Sequence, residues 1–132
     1  MTELWEKLFV MGISTFAFTV AHELGHFLTA LILGLNPKLV YGASTDSLFN
    51  LAFGVQYVDA TLLQSFLVLM GATVLPLIAL GIIFLFYKQK KSENLVIAAE
   101  VFLVLMIFAF LPMPNVPSAD GSRIWAAVLS GA

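Results

Sequence analysis

The chain has 132 residues, enough for one ordinary compact domain and too few for two, so we expect residues 1–132 to form a single domain. Hydrophobic residues make up 61% and charged residues 11%, whereas soluble domains carry roughly 45–50% and about 25%. The net charge is −2 and the six Lys and Arg are spread out, so we expect no nucleic-acid partner. This composition predicts an integral, multi-pass membrane protein that has the lipid bilayer as its solvent.

Three apolar stretches are candidates for membrane-spanning helices, since a bilayer core about 30 Å thick requires roughly 20 helical residues. They run from about residue 8 to 35, from about 62 to 87 and, more marginally, from about 95 to 111. Within the second stretch, Gly71 and Gly81 are small residues of the kind that allows helices to approach closely in membranes.

The segment between the first two stretches has a mixed composition. Asn36-Pro37 is expected to end the first helix, because the residue before a proline avoids the helical region. Two runs, 39–43 and 53–58, are rich in β-branched and aromatic residues and are separated by Gly, Ser, Asp and Asn. This pattern predicts a β-hairpin or a pair of short strands over about 38–58, at the membrane surface. An irregular loop is the alternative.

The third stretch is followed by three prolines within six residues, which exclude a helix there. We assign residues 112–122 to this proline-rich break and the Asp-Gly segment after it, and we predict a short helix over 123–130. The expected fold is therefore an all-α membrane protein. It has three transmembrane helices, a short C-terminal helix, and a small membrane-associated β-hairpin between the first two helices.

The first stretch contains an H-E-x-x-H motif, His22-Glu23-Leu24-Gly25-His26. Residues four apart share one helix face, so both imidazoles can bind one Zn²⁺. Zinc lowers the pKa of a coordinated water to about 7, and Glu23 can then act as the general base in peptide hydrolysis. In a soluble helix this short pattern would often be an exposed polar face. In an apolar span each ionisable side chain costs at least ~2.5 kcal/mol unless it is paired or bound, which favours a metal site.

A catalytic zinc site takes a third protein ligand and keeps one position for water. The chain has no cysteine, so the third ligand must be a carboxylate. Asp120 follows the proline-rich break and precedes Gly121, which could let the backbone turn the carboxylate inward. The residues themselves favour Asp120, with Glu100 in the third stretch as the second candidate.

These residues resemble the site-2 protease family of intramembrane metalloproteases. That family has H-E-x-x-H in one transmembrane helix and, after a proline-rich stretch, a D-G-G-R-[IV] run that is similar to Asp120-Gly121-Ser122-Arg123-Ile124. The resemblance covers most of the chain. It implies that His22, His26 and Asp120 bind zinc, that Glu23 is the catalytic base, and that a transmembrane protein or peptide is the substrate.

The resemblance also bears on substrate binding. Family members carry a β element whose strand edge can pair with extended substrate, which here would be the edge near Val55. Many members have A-G-P-x-x-N in the second core helix and an Asn before the proline-rich stretch, whereas this chain has Leu75 and Leu111 there. Thr73 and Asn115 are candidates to replace these asparagines. The remaining substrate-binding residues are unassigned.

Two indications of membrane orientation conflict. Lys88, Lys90 and Lys91 would place the second connection in the cytoplasm and the metal end of the first span outside. The family resemblance implies an active site nearer the cytosol, which we take as the expectation.

Two other classes of function compete with a protease. A metal-binding, non-proteolytic membrane sensor or adaptor would need the ligands but not Glu23. A structural membrane protein in which the motif occurs by chance would need neither the ligands nor Glu23. The presence of both the H-E-x-x-H motif and the later Asp-Gly motif, in the right order, argues against this class.

Overall fold

The structure is a computed structural model that describes residues 2–42, 52–111 and 120–130. In that part of the chain the elements are α1 Thr2–Ile32, β1 Lys38–Gly42, β2 Ala52–Gln56, α2 Leu62–Gly71, α3 Val74–Gln89, α4 Glu93–Phe110 and α5 Asp120–Leu129. Three stretches are long and apolar enough to cross a membrane, namely Thr2–Ile32, Leu62–Gln89 and Glu93–Phe110. The predicted mostly helical fold and the small two-stranded β element are confirmed, and the two strands are antiparallel. Of the predicted break over 112–122, residues 112–119 lie outside the described residues.

Helix α1 ends earlier than Asn36-Pro37, where the sequence predicted its end. Gly34 adopts a left-handed conformation with φ 75°. Its N–H donates to the carbonyl of Leu31 at 3.0 Å, and the N–H of Leu35 donates to that of Ala30 at 2.9 Å. This is a Schellman ending, and Ala30 and Leu35 also make the apolar contact that usually accompanies it.

The second apolar stretch is two helices rather than the single helix that was predicted. The helical pattern is interrupted at Ala72 and Thr73, where the Thr73 hydroxyl donates to the carbonyl of Met70 at 2.7 Å. Pro76 follows in the first turn of α3 and has no N–H to donate to the carbonyl of Ala72. The hydrophobic pattern is continuous across this break, which is why hydropathy alone predicted one helix.

The last helix was also predicted with the wrong start. Helix α5 begins at Asp120 rather than at Arg123, so the Asp-Gly segment assigned to the break is the first turn of this helix. A carboxylate is favourable there, because the free N–H groups of a helix N-terminus attract negative charge.

Helix α1 lies at the centre of the fold and contacts α2, α3, α4 and β2. It runs in the same direction as α4, because Lys7 bonds Glu93 at 2.9 Å near the start of both helices and Phe18 packs on Phe102 further along. The lysine-containing connection between α3 and α4 therefore lies at the start of α1. The hairpin and α5 lie at its other end, which is the end that carries His26.

Helices α1 and α2 touch backbone to backbone. A Cβ added at Gly25 would lie 2.8 Å from both the Cα of Ala72 and the carbonyl oxygen of Gly71, and one added at Gly71 would overlap the Thr29 side chain. The expected close approach at Gly71 is thus observed. Gly81, by contrast, has open space within 4 Å and does not mediate helix packing.

The Gly25→Ala variant is expected to be destabilised by about 1–3 kcal/mol, because its methyl group meets backbone atoms that cannot move aside cheaply. The unfolding midpoint in detergent measures this effect. Gly81→Ala is the matched control, since its methyl group enters open space on another helix. Equal midpoints for the two variants would contradict the backbone contact.

Candidate metal centre

The structure brings the three sequence-predicted ligands together. His22 and His26 project from one face of α1, and Asp120 projects from the first turn of α5. The ligand atoms of the three side chains lie within 4.8 Å of one another. Glu100, the second candidate for the third ligand, is not in this group. It lines an apolar groove of about 570 Å³ between α3 and α4.

One carboxylate oxygen faces both imidazoles. The Oδ2 atom of Asp120 lies 2.7 Å from Nε2 of His22 and 2.8 Å from Nε2 of His26. Asp120 is 98 residues from His22 in sequence, so this contact depends on the whole helical arrangement. The two imidazole rings stand nearly perpendicular, with centroids 4.8 Å apart, and both direct Nε2 at the same point.

The ring of His26 is fixed from behind by a backbone carbonyl of α2. Its Nδ1 lies 2.9 Å from the carbonyl oxygen of Val68, and the side chain is buried. A carbonyl can only accept, so Nδ1 carries the hydrogen and donates it. This leaves Nε2 as the atom available to a metal, and such an outer hydrogen bond is typical of metal-binding histidines.

The arrangement calls for positive charge between the ligands. In neutral His26 with its hydrogen on Nδ1, the Nε2 lone pair would face a carboxylate oxygen at 2.8 Å, which places two acceptors against each other. A proton on Nε2 or a metal cation between the atoms removes this conflict. Burial opposes ionisation of Asp120, but the two imidazoles outweigh it and hold the pKa of that carboxyl well below its usual range.

The ring of His22 is held by an aromatic neighbour. Phe18, one turn earlier on α1, stacks on it with centroids 5.6 Å apart, and Phe18 in turn packs edge-on against Phe102 of α4. Nδ1 of His22 is buried and has no hydrogen-bond partner among the described residues. Phe18 therefore packs between α1 and α4 and also orients a candidate ligand.

The donor set fits a divalent transition metal. Bond lengths of about 2.0–2.2 Å to nitrogen and oxygen place neighbouring donors of a tetrahedral zinc site roughly 3.3 Å apart. The distances from Asp120 to the two histidines are shorter than this, at 2.7 and 2.8 Å, whereas the ligand atoms as a group spread over 4.8 Å. Side-chain shifts of roughly 0.5–1 Å would bring all three donors to tetrahedral spacing. Two imidazoles and one carboxylate suit zinc and also other first-row metals, so these residues could hold a metal ion without specifying which one.

Glu23 shares a cavity of about 140 Å³ with two of these ligands. The cavity is lined by Glu23, His26, Gly54, Val55, Tyr57, Leu69, Asp120 and Arg123. Strand β2 passes directly over the Glu23 carboxylate, since a Cβ added at Gly54 would lie 3.8 Å from its Oε2 atom. The predicted strand edge near Val55 thus borders the metal site.

Thr73 and Asn115 are the two candidates to replace the asparagines of the site-2 protease pattern. Thr73 bonds the Met70 carbonyl at the break between α2 and α3 and does not line this cavity. Asn115 lies outside the described residues. Tyr57 does line the cavity, and sequence reasoning missed it because it read residues 53–58 only as a strand pattern.

Gly121 matters for a reason other than the turn that the sequence predicted. It is helical, and a Cβ there would overlap the carbonyl group of Leu111 and lie 2.8 Å from the carbonyl carbon of Phe110. The indole N–H of Trp125 donates to the Phe110 carbonyl at 3.0 Å. Helix α5 therefore rests on the end of α4, and this contact sets the position of Asp120.

The Gly121→Ala variant is expected to push α5 away from α4 and to weaken metal binding by about 10–100-fold, as other changes behind metal ligands do. Competition with a chelator of known affinity measures the change. Gly12→Ala is the control, because a Cβ there has nothing within 4 Å. Unchanged affinity in Gly121→Ala would mean that α5 does not depend on this contact to place Asp120.

Fold and site together define a helical protein with three stretches apolar enough to cross a membrane and a possible metal-binding triad. No family model matches the chain, and no curated protein or solved structure matches it.

Proposed function

We propose that this protein is an intramembrane zinc metalloprotease of the site-2 protease type, which hydrolyses peptide bonds of transmembrane substrates. The observation that carries the proposal is the convergence of His22, His26 and Asp120 beside Glu23, on a cavity bordered by a strand. A metal-binding protein without hydrolytic activity would need the three ligands. It would not need the carboxylate of Glu23 or a strand edge that can pair with a peptide beside these ligands.

The proposed mechanism gives separate roles to the metal ligands and to Glu23. His22, His26 and Asp120 would hold a zinc ion, which would supply Lewis-acid activation of water and of the scissile carbonyl. Glu23 accepts the proton of the attacking water and then delivers it to the leaving nitrogen. The cavity of about 140 Å³ has room for several water molecules beside the carboxylate.

Strand β2 is the proposed substrate guide. It pairs with β1 on one side, with Val55 opposite Leu39, and the described residues place no strand on its other side. An extended peptide that pairs with the free edge would present its carbonyls next to Glu23. This pairing would also compensate a transmembrane substrate for the helical hydrogen bonds that it must lose before a carbonyl is exposed.

The proposed membrane position follows from the helix geometry. His26 lies six residues before the end of α1, so the metal group would be roughly 9 Å inside that end of the helix. Such a depth suits a protease that attacks a substrate just inside the bilayer. Three ionisable side chains at that depth are costly unless they bind a metal or one another.

The direct test combines metal analysis with proteolysis. Protein purified in detergent is expected to contain close to one equivalent of zinc and to cut fluorescently labelled casein, an unfolded chain that can pair with a strand edge. A chelator should abolish cleavage and added zinc should restore it. Absence of bound metal would overturn the proposal. Bound zinc without cleavage of casein or of single-span peptides in vesicles would favour the non-proteolytic sensor or adaptor.

A further inference from the structure

The hydroxyl of Tyr57 is buried and has no hydrogen-bond partner among the described residues. A buried polar group without a hydrogen-bond partner is unfavourable, because it has lost its bonds to water, so such groups are rare in folded proteins and point to a missing partner. Tyr57 lines the same cavity as Glu23, His26 and Asp120. A ligand in that cavity is therefore the natural partner for its O–H group.

The position of this side chain is firmly set. Tyr57 follows the end of β2 directly, and its ring packs against the buried cluster of Ala30, Leu35 and Val68. Val68 also supplies the carbonyl that fixes the ring of His26. Val68 thus belongs to the cluster behind the tyrosine ring and also bonds a candidate metal ligand, which links the position of the hydroxyl to that of the metal group.

The other polar side chains of the cavity supply mostly hydrogen-bond acceptors and few donors. The carboxylates of Glu23 and Asp120 are acceptors, and Nδ1 of His26 is already bonded to Val68. The remaining side-chain donors that line the cavity are the buried hydroxyl of Tyr57 and the guanidinium of Arg123, which is an exposed residue. Hydrolysis of a peptide bond requires a donor toward the oxygen on which negative charge develops.

We propose that the Tyr57 hydroxyl donates a hydrogen bond to the carbonyl oxygen of the scissile peptide and that this bond strengthens in the transition state. The inference rests on the proposed protease function. It gives Tyr57 a role in substrate binding, for which the sequence analysis named Thr73 and Asn115 as candidates. Water oxygen bonds to the carbonyl carbon, its proton passes to Glu23, and the carbonyl π pair moves onto the oxygen facing Tyr57. When the C–N bond breaks, Glu23 protonates the nitrogen, and Tyr57 keeps its proton throughout.

The first test is the kinetics of Tyr57→Phe with labelled casein. This variant removes one oxygen atom and keeps the packed ring. We expect kcat to fall about 100-fold, as it does when one oxyanion donor is removed elsewhere, while KM changes less than about threefold and zinc content stays the same. Tyr87→Phe is the matched control, because Tyr87 lines the apolar groove between α3 and α4 and should retain wild-type kinetics.

The second test does not depend on turnover. A phosphinic peptide, which mimics the tetrahedral oxyanion, should bind Tyr57→Phe about 100-fold more weakly than wild type, in proportion to the loss of kcat/KM. Binding of an uncleaved peptide to Glu23→Gln should change little when Tyr57→Phe is added. A merely structural tyrosine would instead lower zinc content or the unfolding midpoint, and that result would overturn the assignment.

The outcomes separate the two proposals. If wild type cleaves casein and Tyr57→Phe does so equally well, the role of Tyr57 is refuted while the protease function stands. If wild type binds zinc but never cleaves, the protease function fails and the role of Tyr57 fails with it.

Discussion

Replacing Glu23 with glutamine is expected to lower kcat by about 10²–10⁴-fold, the usual loss when a general base is removed. Glutamine has nearly the same shape but cannot take a proton from water at neutral pH. Zinc content is expected to stay at the wild-type level, because Glu23 lies beside the triad of His22, His26 and Asp120 without belonging to it. Casein cleavage and metal analysis on the same preparation measure both quantities.

The matched control for this variant is Glu100→Gln. It makes the same chemical change in another apolar helix, in the groove between α3 and α4, and should cleave casein at the wild-type rate. Loss of activity in both variants would point to a general effect of removing a carboxylate from an apolar helix. Full activity in Glu23→Gln would refute the assignment of the catalytic base.

The grouping of His22, His26 and Asp120 could be predicted from the sequence, and the structure places the three side chains together. Three ionisable side chains in an apolar helix need partners, and helical spacing alone places His22 and His26 on one face. Asp120 was the favoured third ligand because it follows a break that could form a cavity, and the structure brings it to both histidines. The apolar stretches and the β-branched runs predicted the helices and the hairpin in the same way.

Three features of the structure could not be predicted from the pattern of residue types. The contact that orients His26 is made by the backbone carbonyl of Val68, and every residue has a carbonyl. The break at Ala72 and Thr73 lies inside an unbroken apolar run, so hydropathy cannot register it. Gly121 was read as a turn residue, yet it is required because α5 touches the end of α4. Such effects depend on which elements meet in space.

Replacing Asp120 with asparagine is expected to weaken zinc binding by at least about 100-fold, since loss of an outer-shell partner alone costs 10–100-fold. Asparagine preserves the size of the side chain and can still bond the imidazoles, so α5 should remain in place. It lacks the negative charge that makes the point between the two Nε2 atoms favourable for a cation. Zinc stoichiometry after dialysis and competition with a chelator report the loss.

Asp59→Asn provides the control for this change. Asp59 is an exposed residue after β2 with φ 58°, a left-handed conformation that asparagine adopts readily, so zinc binding and stability should both be unchanged. Weak zinc binding in Asp120→Asn combined with a wild-type unfolding midpoint for its metal-free form would show that the carboxylate acts as a ligand. Wild-type zinc affinity in Asp120→Asn would exclude Asp120 from the shell. The metal would then depend on the two histidines of α1 and a different third ligand.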